Sequence, residues 1–479
     1  MVSLLVIEEI MEKIEQDYLP RARWWPWKSE LRRVDIQTYE CTNKLHYLLL
    51  RHENQLFQLP LIQLYEIPLE LKPRGFCVNG KCFVEAEYTP WYLGEFLKLS
   101  MADYRQVSTP ISNFTVQSAR PLTMESTNAI AMYETSCEVL VLKSYRLIPG
   151  FNIEAKILEH LGRRNYRYIP RIHGILTYGN KASGILMSYV KGVGDGGTPF
   201  YNSLVDYLKN LRDSYEIGLA AKLGVVIAEL HIYLNTDPSD KFFGVEEVND
   251  RDLAQWTSRI EKMYTSALRR LDEVVQELEE PQHSELSYWR SIAERAGEVV
   301  EDAIDKIHRL YTSGLKARIH QDLHLGQMIY TGDNVLDFVI TDFEGEPGRS
   351  TEERLMKEPL LRDLASMIRS FHYLSHAAIM NSMNKTRHEV SLIMTRGDPS
   401  RDWRFKHIVS MTYSYLARMW NTPLMGFIVK SPLEIWHYLY PWIIERAVYE
   451  FYYESHYRPL WCSIPIVGLL EAKRYLLAR

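Results

Sequence analysis

Cysteine is scarce in this sequence, and so are the other features that would place the chain in a special class of protein. Five cysteines in 479 residues are too few for a disulfide-rich secreted scaffold. No run of about 18 uncharged apolar residues occurs, so we expect no membrane partner. Glu8 and Glu9 interrupt the opening MVSLLVIEEIMEK, where a secretory signal needs an unbroken apolar core. These absences favour a cytoplasmic protein.

An excess of positive charge is also missing. The chain has 56 Lys and Arg against 61 Asp and Glu, a formal net charge of −5, which gives no electrostatic reason to expect a nucleic-acid partner. Apolar residues make up 46% and charged residues 24%, as in ordinary globular proteins. Because a single core stops growing at about 250 to 300 residues, this length predicts two or three domains.

The pattern of apolar residues divides the chain into three regions. Residues 1–98 begin with a helical stretch and continue with the alternating runs RVDIQTYE, KLHYLLLRHE and NQLFQLPLIQLYE, which predict strands of a small cap domain. Residues 99–190 predict a β-β-α-β lobe, with strands in TVQSARPL and AIAMYETSCEVLVLKSYRL, a helix in NIEAKILEHLGRRN and a last strand in ASGILMSYV. The Gly-rich VKGVGDGG then predicts a hinge.

Residues 191–479 have helical periodicity almost throughout, with one β-hairpin, QMIYTGDNVLDFVITDF, as the exception. A lobe of about five strands, a hinge and a helical lobe with an acidic hairpin are typical of protein kinases. We therefore predict an α+β, protein-kinase-like bilobal fold, with a β-rich N-lobe, a mainly helical C-lobe and an N-terminal β-rich cap.

The segment FCVNGKCF predicts a hairpin that turns at Asn79-Gly80. Such a turn makes Cys77 and Cys82 cross-strand partners, close enough for a disulfide. Because thiols in the cytoplasm stay reduced, we expect two reduced, packed cysteines, with the disulfide as the alternative. Either state is structural.

Two polar segments in the helical region, RIHQDLHLGQM and ITDFEGEP, have the composition of a phosphoryl-transfer site. Phosphoryl transfer requires a carboxylate that orients a hydroxyl, oxygen ligands for Mg²⁺ and a cation on the nucleotide phosphates. Asp322 is the candidate base, and Gln327 and Asp342 are the candidate Mg²⁺ ligands. We expect the hairpin between Gln327 and Asp342 to bring these two side chains together.

Plainer interpretations exist for single residues of these segments. Asp322 and Asp342 could be loop acids that cap helices. His320 and His324 could bind zinc, but no third protein ligand is evident, so we expect them to brace the loop by hydrogen bonds. Asp363, near the start of the LLRDLASM helix, is a candidate for holding the loop backbone, and its alternative is an acid favoured by the helix dipole.

The candidate phosphate-binding cation is Lys143, within the apolar strand EVLVLKSYRL, and Glu154 follows at the start of the next helix. A strand lysine held by a helix glutamate contacts the nucleotide phosphates in kinases, whereas an exposed Lys–Glu pair is the plainer alternative. The turn MESTNAI lacks a glycine-rich signature but offers N–H groups and hydroxyls. The turn and the strand before the hinge complete the predicted nucleotide site: Ser126, Thr127, Asn128, Met187 and Tyr189.

Over nearly the whole chain, these motifs resemble the maltokinases, relatives of the aminoglycoside phosphotransferases. RARWWPWK resembles the start of the family's cap domain, and RPLTMESTNAI with LVLKSYRLIPGFNIEAKILEHL resembles its nucleotide lobe. RIHQDLHLGQM, TDFEGEP and EPLLRDLASMIRSFHY are similar to its catalytic segments. The resemblance implies ATP-dependent, Mg²⁺-assisted phosphorylation of the anomeric hydroxyl of maltose to maltose 1-phosphate. It also implies a functional link to enzymes of maltose and trehalose metabolism.

The C-terminal segment ERAVYEFYYESHYRPLWCSIPIVGLL resembles the part of that family that closes the sugar site. The resemblance implies five sugar-binding residues: Tyr449, Tyr453, Glu454, Arg458 and Trp461. Aromatic rings stack on sugar faces, and Arg and Glu bond sugar hydroxyls. Tyr449 and Tyr453 lie one helical turn apart, however, and are equally explained as a packing stripe.

Some positions differ from the family pattern. Gln321 stands where glycine is usual, and His456 and Tyr457 replace asparagines before Arg-Pro. Glucosamine or another sugar is therefore an alternative acceptor. A non-catalytic sugar- or nucleotide-binding regulator is the alternative from another class, and a metal-dependent hydrolase is the third.

Overall fold

The structure is a computed structural model that describes residues 4–28, 33–210, 215–237, 239–312, 314–332, 337–425 and 431–473. The chain divides into two compact units, Met1–Lys191 and Gly192–Arg479. The further division of the first unit at residue 98 into a cap and a nucleotide lobe stays a prediction.

The first unit begins with helix α1 (Leu4–Lys13), which continues as a π-helical turn to Tyr18. A five-stranded antiparallel sheet follows, in the spatial order β1-β2-β3-β5-β4. The side chains of Tyr18, Trp24, Trp25 and Phe57 meet in its apolar core. The three predicted strands are therefore confirmed. The strands of this sheet are β1 (Asp35–Cys41), β2 (Leu45–His52), β3 (Gln55–Leu64), β4 (Gly75–Val78) and β5 (Lys81–Glu85).

The predicted hairpin between β4 and β5 is present, with positive φ at Asn79 and Gly80. Cys77 lies opposite Cys82, with 4.0 Å between the Cα atoms, and the structure joins the two sulfurs in a disulfide. The expectation of reduced thiols is wrong for this hairpin. The two-residue turn fixes the cysteines as a directly opposed pair on one face, so the sulfurs meet.

The second half of this unit contains a six-stranded sheet in the order β6-β10-β11-β9-β8-β7, together with helices α2 (Tyr92–Phe96) and α3 (Ile153–Arg163). The predicted β-β-α-β order is incomplete. Strand ADYRQ contains only two apolar residues and is at most half-buried, and IHGILTY is buried throughout and lacks period-two alternation, so neither gives a clear strand signal. The strands are β6 (Ala102–Gln106), β7 (Val116–Thr123), β8 (Ala129–Thr135), β9 (Val139–Ser144), β10 (Ile172–Tyr178) and β11 (Lys181–Ser188).

The second unit is mainly helical, as predicted. Its helices are α4 (Thr198–Asn210), α5 (Ile217–Leu234), α6 (Asp250–Glu277), α7 (Gln282–Arg295), α8 (Gly297–Tyr311), α9 (Thr351–Leu355), α10 (Leu361–Met383), α11 (Arg387–Gly397), α12 (Arg401–Met419), α13 (Ile435–Tyr457) and α14 (Ser463–Ala472). Helices α10 and α13 pack against each other and are buried over most of their length. They therefore form the centre of this unit.

The predicted hairpin of the second unit consists of β15 (Met328–Tyr330) and β16 (Phe338–Ile340), and its turn at residues 333–336 lies outside the described residues. The hairpin is not the single exception to helix. A short strand, β12 (Gly194–Asp195), pairs with β15, and β13 (Glu246–Glu247) pairs with β14 (Leu315–Lys316). Two-residue strands have no periodicity, so sequence patterns do not reveal them.

Helix α5 is the one helix among the described residues whose length and composition would suit a membrane span, yet half of it is buried inside the protein. It packs along α12. A Cβ at Gly224 would overlap the carbonyl oxygen of Met411 and come within 2.9 Å of the backbone nitrogen of Tyr415. The α5–α12 contact therefore depends on glycine at this position.

We predict that Gly224→Ala lowers the free energy of unfolding by about 1–3 kcal/mol, because the added methyl group forces α5 and α12 apart. Gly218→Ala in the same helix is the matched control, since a Cβ there meets nothing within 4 Å. Urea unfolding followed by circular dichroism measures both. Equal stability of the two variants would contradict the packing argument.

Candidate functional site

In the first unit, Lys143 and Glu154 form a buried ion pair. Lys143 lies on β9 between Ile130 of β8 and Ile185 of β11, and its Nζ lies 2.8 Å from Glu154 Oε2. The side chains are only 12% and 2% exposed. Tyr145 Oη also donates to Glu154 Oε2, at 2.9 Å. The plainer interpretation, an exposed pair, therefore does not hold.

Glu154 owes its position to the start of α3. Asn152 caps the helix, because its side chain accepts the backbone N–H of Ala155 at 2.9 Å. Glu154 is then the second residue of the helix, with its side chain directed to the strand lysine. The capped helix α3 thus fixes the carboxylate of Glu154, which in turn holds the ammonium group of Lys143 in place.

The predicted nucleotide-binding turn, residues 126–128, is held by hydrogen bonds of its own side chains. Ser126 Oγ accepts the N–H of Asn128 at 3.0 Å, and Asn128 Oδ1 accepts the N–H of Arg146 at 3.2 Å. Thr127 is exposed in the same turn. The turn therefore has a fixed shape without glycine.

The other two predicted nucleotide residues lie at β11. Met187 is paired with Val141 of β9, and the N–H of Tyr189 donates to Val139 O at 2.9 Å. The side chain of Tyr189 is 38% exposed. These residues and Lys143 thus lie on adjacent strands of one sheet, and a shared role in nucleotide binding stays a prediction.

In the second unit, Asp322 is a buried carboxylate held by an arginine. Its Oδ1 accepts from Arg446 Nη1 of α13 at 2.9 Å, and the residue is 6% exposed. Its second oxygen, Oδ2, lies 4.0 Å from His324 Nε2. Asp322 is therefore not a helix cap.

The two histidines of this loop make the hydrogen bonds that the bracing hypothesis describes. His320 Nε2 donates to Thr341 O at 3.0 Å, and its Nδ1 accepts the N–H of Asp322 at 3.4 Å. His324 Nδ1 accepts the N–H of Gly326 at 3.1 Å. Burial lowers the pKa of His324 to about 4, so the ring is neutral at pH 7. Because both ring nitrogens of His320 bond the backbone, the zinc alternative is disfavoured.

The β15–β16 hairpin brings Gln327 and Asp342 together. Gln327 Nε2 donates to Asp342 Oδ2 at 3.2 Å, and the N–H of Thr341 donates to Gln327 O at 2.9 Å. A carboxylate oxygen of Glu344 lies within 4.8 Å of one of Asp342. A half turn of the Gln327 amide would present its oxygen at the same place, and carboxylate and amide oxygens are donors that Mg²⁺ accepts. These side chains therefore fit a Mg²⁺ ion.

Asp363 of α10 contacts, with both carboxylate oxygens, the backbone of the loop at residues 320–327, which is called the catalytic loop after the role predicted for Asp322. Oδ2 accepts the N–H of His320 at 2.7 Å, and Oδ1 accepts the N–H of Gln321 at 2.9 Å. His231 Nε2 lies 3.2 Å from Oδ2, and Tyr415 Oη lies 2.9 Å from the other ring nitrogen of His231. Asp363 is 1% exposed. A solvent-exposed acid at a helix start would make none of these contacts.

Gln321 has the left-handed backbone conformation, φ +72°, which explains why glycine is usual at this position. A non-glycine residue pays about 1–2 kcal/mol for this conformation. The side-chain amide of Gln321 donates to Arg354 O at 2.9 Å and to Met356 O at 2.7 Å. These bonds offset part of the strain, so the loop keeps its shape.

Asp322 is one member of a buried ionic network. For example, Arg446 Nη1 also lies 2.8 Å from Glu346, and Arg362 Nε lies 3.0 Å from Glu445. The network contains as many acids as arginines, so its charges balance. Its members are Asp322, Glu346, Glu358, Glu445, Glu450, Arg259, Arg349, Arg362, Arg369 and Arg446.

Neighbouring arginines keep the buried Glu346 and Glu358 of this network charged. Burial alone would raise the pKa of Glu358, but the neighbouring guanidinium groups, above all that of Arg259, lower it to about 2. The same balance holds the pKa of Glu346 well below its usual value. Conversely, burial would lower the pKa of Arg446, and its acidic partners, above all Asp322, raise it above its usual value. Arg446, the partner of Asp322, therefore stays charged although it is buried.

A cavity of about 700 Å³ opens beside Asp322. It is lined by the catalytic loop, the loop before α4, α10 and α13. Among its lining residues are Asp195, Thr198, Tyr201, Asp322, His324, Gln327, Ser366, Ser370, Tyr373, Arg446, Tyr449, Glu450, Tyr453, Glu454 and Arg458. The cavity is thus lined both by the candidate base and by four of the five predicted sugar-binding residues: Tyr449, Tyr453, Glu454 and Arg458.

Glu454 and Arg458 bond each other at the cavity, with Arg458 Nη2 at 2.7 Å from Glu454 Oε1. Burial raises the pKa of Glu454. Trp461 is not among the residues that line the cavity. It lies behind Arg458 instead, with the guanidinium 5.0 Å from its ring centre. The role predicted for Trp461 is therefore at most indirect.

Sequence reasoning missed several functional candidates. Arg446 and Glu346 lie within the quoted ERAVYE and TDFEGEP motifs, but no local pattern shows that they meet. Asp195 lies in VGDGG, where the glycines indicated only a hinge. A pair of glycines that flank an acid was the available signal for a close backbone approach.

Comparisons with known proteins bear on the fold. No protein-family model matches the chain. The glucosamine kinase of Streptacidiphilus jiangxiensis is 22% identical over 326 residues, which are 66% of this chain and 64% of that protein. The aligned part thus spans less than two thirds of that relative.

Solved structures give a longer match. A glucosamine kinase in complex with glucosamine, ADP and inorganic phosphate has a TM-score of 0.66 at 15% identity, over 96% of this chain and 98% of that one. Another glucosamine kinase structure, crystal form A, has a TM-score of 0.67 at 16% identity, over 95% and 96%. The predicted fold is confirmed. The chain has an α+β, kinase-like bilobal fold.

We predict that Asp363→Asn loosens the catalytic loop. The amide cannot accept from both backbone N–H groups, so hydrogen exchange at His320 and Gln321 should become roughly 10- to 100-fold faster. Asp402→Asn, at the exposed start of α12, is the control for a helix-dipole effect. Amide exchange read by mass spectrometry measures both variants. Unchanged protection in Asp363→Asn would leave only the helix-dipole interpretation.

Proposed function

We propose that this chain is an ATP-dependent sugar kinase. The observation that carries the proposal is the cavity in which Asp322, fixed by Arg446, lies beside aromatic and polar side chains suited to a sugar. A positioned carboxylate next to a sugar-sized space is what transfer to a hydroxyl requires. The relative and the two solved structures described above are named glucosamine kinases, which supports the same class of reaction.

In the proposed reaction, Asp322 orients the sugar hydroxyl and takes its proton as the oxygen attacks the γ-phosphorus. The new P–O bond forms on the sugar while the bond to the β-phosphate oxygen breaks, and ADP leaves with that electron pair. Arg446 holds Asp322 in position but does not contact the reacting atoms in this scheme.

Within the first unit, nucleotide binding is assigned to one ion pair and one turn. Lys143, held by Glu154, contacts the phosphates, and the braced turn at 126–128 adds N–H groups. Gln327 and Asp342 would hold Mg²⁺, which supplies neutralisation of phosphate charge when bound. The intact set of these groups argues against the alternative of a non-catalytic regulator.

For the acceptor we favour an amino sugar of the glucosamine class over maltose. The support is the glucosamine kinase name of the relative and of the solved structures, one of which contains glucosamine. Maltose is the second candidate, because the exposed ring of Tyr457 lies 4.7 Å from that of Tyr453 at the cavity and could stack on a second sugar ring. With either acceptor we propose a cytoplasmic location. With maltose as the acceptor we also propose a link to maltose and trehalose metabolism.

ADP release from Mg-ATP, with glucosamine, maltose, glucose and trehalose offered separately, tests the proposal. We expect turnover with glucosamine that stops when EDTA removes the metal. Turnover with maltose alone would select the second candidate. ADP release that no sugar raises above the background would contradict the sugar-kinase proposal and favour a binding protein.

A further inference from the structure

The carboxylates on the cavity wall differ in their partners. Four acids line the cavity, and three of them are paired with a guanidinium. These pairs are Asp322 with Arg446 at 2.9 Å, Glu450 with Arg369 at 2.7 Å, and Glu454 with Arg458 at 2.7 Å. In the part of the chain that the structure describes, no cation contacts the fourth acid, Asp195. Its negative charge is therefore available to a ligand.

The hydrogen bonds that Asp195 accepts come from uncharged groups. Its Oδ1 accepts the N–H groups of Gly197 and Thr198, at 3.1 and 3.0 Å, and the hydroxyl of Thr198 at 3.0 Å. All three bonds go to the same oxygen and cap the start of α4. The cap therefore fixes the side chain without neutralising it, and none of these three bonds uses Oδ2.

The backbone around Asp195 is attached to the catalytic loop. Asp195 pairs with Ile329 of β15, and the N–H of Gly196 donates to Leu325 O and Met328 O at 3.1 and 2.9 Å. A Cβ at Gly196 would lie 2.8 Å from Leu325 O, so this approach requires glycine. The carboxylate of Asp195 is thus fixed relative to the loop that carries Asp322.

We propose that Asp195 recognises the ammonium group of an amino-sugar acceptor and so selects it over the neutral sugar with the same ring. This inference rests on the proposed function. An ammonium group that entered the cavity would compete with an arginine at each of the other three acids, but not at Asp195. A charged hydrogen bond of this kind discriminates by roughly 10- to 100-fold against a hydroxyl.

Asp195→Asn is the test variant, because asparagine keeps the acceptor that caps α4 and removes only the charge. Glucosamine and glucose are the matched acceptors, since they differ in one amino group. We expect the wild-type preference in kcat/KM for glucosamine over glucose to fall by roughly 10- to 100-fold, through the KM for glucosamine. Asp250→Asn, at the exposed start of α6 and away from the cavity, is the control and should keep the full preference.

Three outcomes overturn the inference. The first is a wild-type enzyme without preference for glucosamine, and the second is an unchanged preference in Asp195→Asn. The third is an equal loss of kcat/KM with both sugars, which would leave Asp195 as a helix cap alone. A wild-type protein that phosphorylates no sugar contradicts the proposed function instead. Calorimetric binding of glucosamine and glucose then decides about Asp195. Tighter glucosamine binding that Asp195→Asn abolishes supports the inference, and equal binding overturns it.

Discussion

The buried pairing of arginines with carboxylates is the constraint on which the second unit depends. Its members come from distant parts of the chain, and each guanidinium bridges at least one acid from another segment. Breaking one such buried pair costs about 3–5 kcal/mol, because the partner charge stays in a dry place. Replacing both partners costs far less, so the network's main effect is to fix geometry. It determines where the catalytic loop lies against α13.

Helix α13 links this constraint to the cavity. Arg446 and Glu450 belong to the network, whereas Tyr453 and Glu454, about one turn further on, line the cavity beside them. Residues three and four apart share a helix face, so one face carries both the support of the base and the wall of the cavity. In the proposed function, this face would position the acceptor hydroxyl, and its ionic contacts favour a fixed geometry.

Local sequence patterns predicted the features that depend on residues close together in the sequence. The Asn79-Gly80 turn, the strands of the first sheet and the meeting of Gln327 with Asp342 all follow from short segments. The Asp322–Arg446 contact spans 124 residues, and no periodicity encodes it. Strands β6 and β10 were missed because β6 contains only two apolar residues and β10 is buried throughout. Long-range contacts and the formation of such strands depend on tertiary packing and burial more than on intrinsic strand propensity.

The central claim is that Asp322 is the base of a sugar phosphotransferase. The most direct measurement is the turnover of Asp322→Asn with Mg-ATP and glucosamine, alongside calorimetric binding of each ligand. The account predicts a kcat lower by roughly 10²- to 10⁴-fold, with both ligands still bound, because the amide keeps the shape and loses the proton acceptor. Turnover close to that of the wild type would contradict the claim.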